Sequence, residues 1–379
     1  MHIEQSYWAH STGWHPHAPG RLGAAAQLVF VFGGTAQIRD CEALGELRIA
    51  YPGAIILGCS TAGEIYDTQV LDDTLVATAV QFAHSRVAGA HAPLANAAGS
   101  FAAGRALAEQ LDPHELAHVF VLSEGLGVNG SELVAGLSAH LPAQVTITGG
   151  LSGDGPRFAE TLVHWNGETA PGQVVAIGLY GAGLRVGYGS LGGWDAFGPD
   201  RLITRSQGNV LYELDGTSAL ALYKRYLGEH ANDLPSSGLL FPLSISSGPA
   251  KERVVRTILA VDEAAGSITF AGDVPEGAYA QLMKANFDRL IDGAHGAANS
   301  SQQSLGEQTA ELALLISCVG RKLVLKQRIE EEVEAVREVL GDGAVLAGFY
   351  SYGEISPLLA STRCALHNQT MTITTFAEV

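Results

Sequence analysis

At 379 residues the chain exceeds the roughly 250–300 residues at which single cores stop growing, so two domains or two related halves are expected. Hydrophobic residues make up 47% of it and charged residues 16%, with 46 glycines; this excludes a disordered chain and leaves a well-packed, loop-rich one. Lys plus Arg number 22 against 39 Asp plus Glu, and the formal charge of -17 repels phosphate backbones and anionic bilayers, which excludes nucleic acid and membrane surfaces as partners.

The amino end, "MHIEQSYWAHSTGWHPHAPG", has no basic start followed by an apolar stretch, and no window approaches ~18 uninterrupted apolar residues. A soluble, cytoplasmic protein is expected. His10, His15 and His17 stand beside Trp8 and Trp14 without the carboxylates that support a metal site. Residues 1–27 therefore read as a solvated arm able to dock onto the fold, in preference to a metal site. Residues 28–32 form an apolar run of strand length closed by Gly33-Gly34, and 41–51 carry Leu44, Leu47 and Ile49 on a short helix. After Pro52-Gly53 a second strand begins at Ala54, completing the strand–helix–strand unit of a helix-covered sheet. "TLVATAVQF" (74–82), a helix over 100–110 and the strand "HVFVLS" (118–123) follow; Ser131 is placed to cap a helix running to about Leu141.

"QVTITGGLSGDG" (144–155) repeats the strand-then-glycine theme, and "ETLVHWNGE" with "GQVVAIGLYG" places two β-rich runs around the turn dipeptide Asn166-Gly167. Residues 211–227 combine an Asp-Gly break with an amphipathic helix exposing Leu220, Tyr223 and Leu227 on one face. "VVRTILAVDEAAGSITFAGDV" reads as two strands around a turn. Helices are expected over 276–295 and 327–340, the second burying Ile329, Val333, Val336 and Leu340.

An internal repeat is the most informative feature. "GCSTAGEI" (58–65) and "GFYSYGEI" (348–355) share the frame Gly-x-x-hydroxyl-x-Gly-Glu-Ile, with Ser351 at the place of Thr61. Each follows a helix, a turn and a short apolar strand, and each precedes a further strand, so a duplication is inferred. The glycines let the backbone approach a ligand, while hydroxyls and amides supply donors. Such turns at the carboxyl ends of strands are where open α/β sheets bind small molecules. Two roles stay open for Glu64 and Glu354: acceptor for a ligand, or acceptor for the turn's own donors. Cys59 or Ser60 as a nucleophile is the weaker reading. The hydrolase elbow has another spacing, and Phe349 and Tyr350 replace them in the second copy; a packed small cysteine is the alternative. "GGLSGDG" (149–155), with Ser152 and Asp154, lacks the spacing of a dinucleotide loop. The four cysteines, Cys41, Cys59, Cys318 and Cys364, contain no Cys-x-x-Cys pair and read as free thiols.

At these residues the sequence resembles the FIST family of intracellular sensory proteins. The likeness is carried by "GCSTAGEI", "GGLSGDG", "NGETAPGQVVAIGLYG", "LISCVGRKLVL" (315–325), "GFYSYGEI" and "LHNQTMTITTF" (366–376), in that order. It implies a mixed α/β protein of two related domains with helix-covered mixed sheets: a FIST-N-like domain over 28–215 and a FIST-C-like domain over 216–379. It also implies a sensor of a small ligand, for which amino-acid-like molecules have been suggested, and no enzymatic activity. Output would pass to a separate transducer.

Segments 193–216 and 221–229 look like the NosP subset, haemoproteins that sense nitric oxide and act on a histidine kinase. That likeness implies haem, with His367 as the candidate axial ligand. The candidate ligand-binding residues are Cys59, Ser60, Thr61, Glu64, Ser152, Asp154, Tyr350, Ser351, Tyr352, Glu354 and Asn368. Whether the protein forms a homo-oligomer stays open.

Overall fold

The computed structural model describes residues 1–40, 42–246, 253–357 and 364–379, so Cys41 lies outside the described residues. The expected mixed α/β architecture is present, and the polar turn occurs three times. In each unit two parallel strands are joined through a helix: Leu28–Gly33 and Ile55–Ser60 around Glu42–Ala50, Leu116–Ser123 and Thr146–Leu151 around Gly130–His140, and Leu312–Cys318 and Val345–Ser351 around Ile329–Leu340. The second strand ends in the polar turn, a two-stranded hairpin follows, and a return strand runs back antiparallel to the first. A leading strand, His2–Ala9, Arg86–Pro93 or Leu184–Leu191, completes each sheet beside the return strand.

"GGLSGDG" occupies the third turn and keeps the frame's first glycine and its hydroxyl, Gly149 and Ser152, but has Asp154-Gly155-Pro156 where the other two have Gly-Glu-Ile. Gly58, Gly149 and Gly348 lie opposite Val31, Val121 and Leu315 on the parallel neighbour. A Cβ at these glycines would stand 1.9, 1.9 and 1.8 Å from those residues' carbonyl oxygens, so the frame's first position excludes any side chain. Thr61, Ser152 and Ser351 share the hydroxyl position.

Each hairpin joins the sheet of another unit. Hairpin 64–71 extends the third sheet (Phe349↔Glu64), hairpin 163–170 the first (Cys59↔Val163), and the paired strands Gly353–Pro357 and Cys364–His367 the second (Gly150↔Glu354). The turns meet in a closed ring of backbone bonds: Ala62 N–H donates to Tyr350 O (2.8 Å), Gly153 N–H to Ser60 O (2.9 Å) and Tyr352 N–H to Leu151 O (3.4 Å). Apolar side chains from all three sheets, among them Phe30, Phe120, Leu314 and Phe349, form one shared core. Phe30 meets Phe120 edge-on with centroids 5.3 Å apart, and Phe32 lies 4.7 Å from Phe349.

Between leading strand Leu184–Leu191 and helix Phe287–Leu305 the third unit carries an inserted module. It has its own sheet, helix Ala219–Leu227 and a separate core around Ile203, Tyr223 and Phe270. Three expectations change here. Residues 1–27 are docked on the fold rather than solvated, since His2–Ala9 pairs along Leu75–Gln81 and buried Glu4 accepts the amides of Gly20, Arg21 and Leu22. The helix expected over 276–295 begins as strand Tyr279–Ala285, whose Ala280 and Leu282 point into the module core; Asn286 then caps helix Phe287–Leu305. Asn129, not Ser131, caps helix Gly130–His140, because Ser131 Oγ is taken by the Asp273 amide.

Candidate functional site

Where the first turn leaves its strand, a polar cleft of about 370 Å³ opens. All three units contribute to it. One wall is the turn 61–64 with Asp72 and Asp73, another is the loop 154–157, and the third is helix Val319–Leu325, which presents Lys322 and Leu323.

Lys322 Nζ donates to Ala62 O (2.9 Å) and pairs with Asp72. Gly63 is required by its backbone: its φ of 138° lies in the region glycine tolerates, and a Cβ there would also displace the flexible end of Lys322, whose Nζ it would meet at 2.2 Å. Of the four acids in the lining, Glu64 and Asp154 are buried on donors of their own turns, which leaves Asp73 and the Lys322-paired Asp72 to face a ligand. The cleft is therefore suited to a ligand carrying a cationic group, with Lys322 available to an acidic one.

Glu64 and Glu354 settle into matching surroundings. Thr61 Oγ donates to Glu64, and the Thr74 amide (3.0 Å) and hydroxyl (2.7 Å) donate to its other oxygen. Ser351 Oγ (2.8 Å) and the Thr370 amide (3.1 Å) and hydroxyl (2.9 Å) do the same for Glu354. Each carboxylate thus ties its turn to the residue just before the return strand. Burial raises Glu64 to about 7 and Glu354 to about 8, the donors opposing the shift only in part. Glu64 is both clamp and cleft wall; Glu354 is a clamp. In the third copy Asp154 accepts the amides of Phe158, Ala159 and Glu160 (2.9–3.0 Å) and the Tyr352 hydroxyl.

Of the residues singled out in the sequence, Thr61, Glu64 and Asp154 line the cleft. The others hold the ring around it. Ser60 Oγ accepts the Leu162 amide, Ser152 Oγ donates to Ser123 O, and the Tyr350 hydroxyl donates to Glu332 (2.7 Å). Tyr352 stacks on Phe158 with centroids 4.7 Å apart, and Asn368 bridges Tyr352 O and the Thr257 amide. Cys59 is fully buried, and burial pushes its thiol well above the usual range, the reverse of what an attacking thiolate needs.

His367 is 5% exposed, its Nε2 lies 2.9 Å from the Ser356 carbonyl, and burial lowers it to about 4. That imidazole is neutral and its Nε2–H is committed to a carbonyl. The NosP-like segments line a separate apolar pocket in the inserted module, between Phe197, Arg201, Leu222, Tyr226 and Leu282. It holds about 20 Å³, room for about one water. Neither place fits a porphyrin. Among the described residues no group of three or more His, Cys, Asp or Glu side chains is placed to hold a metal ion.

Sequence reasoning passed over Asp72, Asp73, Arg157 and Lys322. Two signals were available: the paired acids directly before the strand at Thr74, and the single lysine inside "LISCVGRKLVL".

Three polar turns joined in a ring of backbone bonds border a cleft to which all three units contribute. The profile of the FIST N domain matches residues 27–217 and that of the FIST C domain residues 219–357; the chain belongs to the FIST family, whose domains serve as sensory domains in signal transduction. No curated protein matches the sequence. Among solved structures, cyanuric acid hydrolase from A. caulinodans is similar over 94% of this chain and 90% of its own, at 8% identity and a TM-score of 0.37. Likeness at that level bears on neither fold nor chemistry. Among the described residues no helix is long and apolar enough to cross a membrane.

Proposed function

We propose that the chain is a sensor of a small zwitterionic metabolite of the amino-acid class, captured in the cleft between residues 61–64, 154–157 and helix Val319–Leu325, and that it reports to a separate transducer such as a histidine kinase. One observation carries this reading: the cleft sets Asp72 and Asp73 on one wall against Lys322 on another, which pairs an acceptor for an ammonium with a donor for a carboxylate. A thermal-shift screen of the twenty amino acids, with their decarboxylated amines and deaminated acids, tests it. A ligand of this class raises Tm by binding the native state, and Asp73→Asn or Lys322→Met removes the rise. A flat screen with the folded protein overturns it.

The alternative is a haem-dependent nitric oxide sensor, which rests on the likeness of segments 193–216 and 221–229 alone and requires a haem site other than His367 and the module pocket. Protein from haem-replete cells showing a Soret band that nitric oxide shifts would replace the metabolite reading.

A further inference from the structure

The cleft and the inserted module share two walls. Helix Val319–Leu325 presents Lys322 and Leu323 to the cleft, and Val324 and Leu325 pack with Trp194 and Met283 at the base of the module. Arg321, fully buried, donates to Gly192 O (2.9 Å) and Leu290 O (2.6 Å). Those carbonyls mark where the chain leaves for the module and where it has just returned. Glu332 meets the Arg321 charge at 2.7 Å. The short helix Ser236–Leu240 of the module packs on the same helix, and Ser236 Oγ donates to Pro156 O (2.7 Å) in the loop that forms another cleft wall.

We propose that helix Val319–Leu325 is a coupling element: the partners that Lys322 finds in the cleft set the position of this helix, and through Arg321 and Ser236–Leu240 the seating of the inserted module. The inference rests on the cleft being the ligand site. A ligand that draws Lys322 from Asp72 or Ala62 O binds one helix position better than the other, which is the differential a population shift requires. The fully buried Arg321, with four hydrogen bonds to three acceptor atoms, resists bending within the helix, so displacement at Lys322 passes on as motion of the whole turn.

Hydrogen exchange of the full chain, with no ligand added, tests the coupling. Lys322→Met cuts the cleft anchor without touching the module. Amides of 236–246 and 279–290 are expected to exchange at least about fivefold faster, while Ser267–Phe270 in the module core stays at the wild-type rate. Arg337→Met, which severs a comparable ion pair from the same unit to Asp67, leaves those amides unchanged. Should Lys322→Met fail to fold, Asp72→Asn removes the same pair from an exposed side chain. Faster exchange confined to 61–73 and 319–325, or an equal response to Arg337→Met, overturns the proposal. A flat amino-acid screen would leave a positive exchange result standing, so the two readings fail separately.

Discussion

Glu64 and Glu354 each sit beneath a hydroxyl from their own turn and the amide and hydroxyl of a threonine just before the return strand. Both protons are held more tightly in the folded chain than in the unfolded one, whose value is near 4.5. Their stabilisation is full below that pH and is lost as pH climbs through about 7 and about 8, each group removing at most about 1.4 kcal/mol per pH unit. Buried His118, His164 and His367, lowered to about 3, 4 and 4, act in the opposite sense. They contribute fully above 6.5, their ordinary value, and are lost as pH falls toward 4. Urea midpoints measured from pH 5 to 8 should peak at about pH 6–7. Glu64→Gln should flatten the alkaline limb while costing about 1–3 kcal/mol at pH 5, because an amide NH₂ then faces the Thr74 donors. An alkaline limb unchanged in Glu64→Gln and Glu354→Gln would mean these carboxylates titrate normally. The repeated hydroxyl and acid made both clamps legible in the sequence. Lys322 was hidden because its partners Ala62 and Asp72 lie in another unit, and only folding makes them neighbours.

At the scale of elements, the first glycine of each turn permits the close approach of a parallel strand. Gly58→Ala, Gly149→Ala and Gly348→Ala should each cost about 2–3 kcal/mol, measured by urea denaturation; Gly343→Ala, where a Cβ meets nothing within 4 Å, should cost far less. Similar losses at the three sites would confirm that they are equivalent in energy as well as in geometry. Arg321→Met should cost about 3–5 kcal/mol by leaving Glu332 buried and unpaired. Two copies of the turn were visible because both keep Gly-Glu-Ile. The third escaped because Asp154-Gly155-Pro156 replace Gly-Glu-Ile, its hairpin starts only at Val163, and Gly172 stands before the return strand where Thr74 and Thr370 stand in the others. The inserted module was equally hidden. Its strands read as strands, but nothing local distinguishes a separate sheet from more of the same one.

For the molecule as a whole, the exchanged hairpins mean that the amino-terminal half closes only one of the three sheets by itself. The paired strands Gly353–Pro357 and Cys364–His367 complete the sheet of residues 86–180, while hairpin 64–71 and strand Leu184–Leu191 belong to the sheet built by 312–378. Separately expressed 1–217 and 218–379 should therefore lack cooperative unfolding, and mixing them should restore it, as read by circular dichroism through a thermal ramp. A sharp transition in 1–217 alone would show that the exchange contributes little.

The same exchange sets a schedule for a chain still on the ribosome. Hairpin 64–71 emerges early, yet the strand it must pair with is centred on Phe349, roughly 285 residues later, which at about 5–20 residues per second is a wait of roughly 15–60 s. Throughout that interval Ile65, fully buried in the finished fold, has no sheet to enter. Newly made protein should depend on holding chaperones far more than its final stability suggests, and slowing translation should lengthen that dependence.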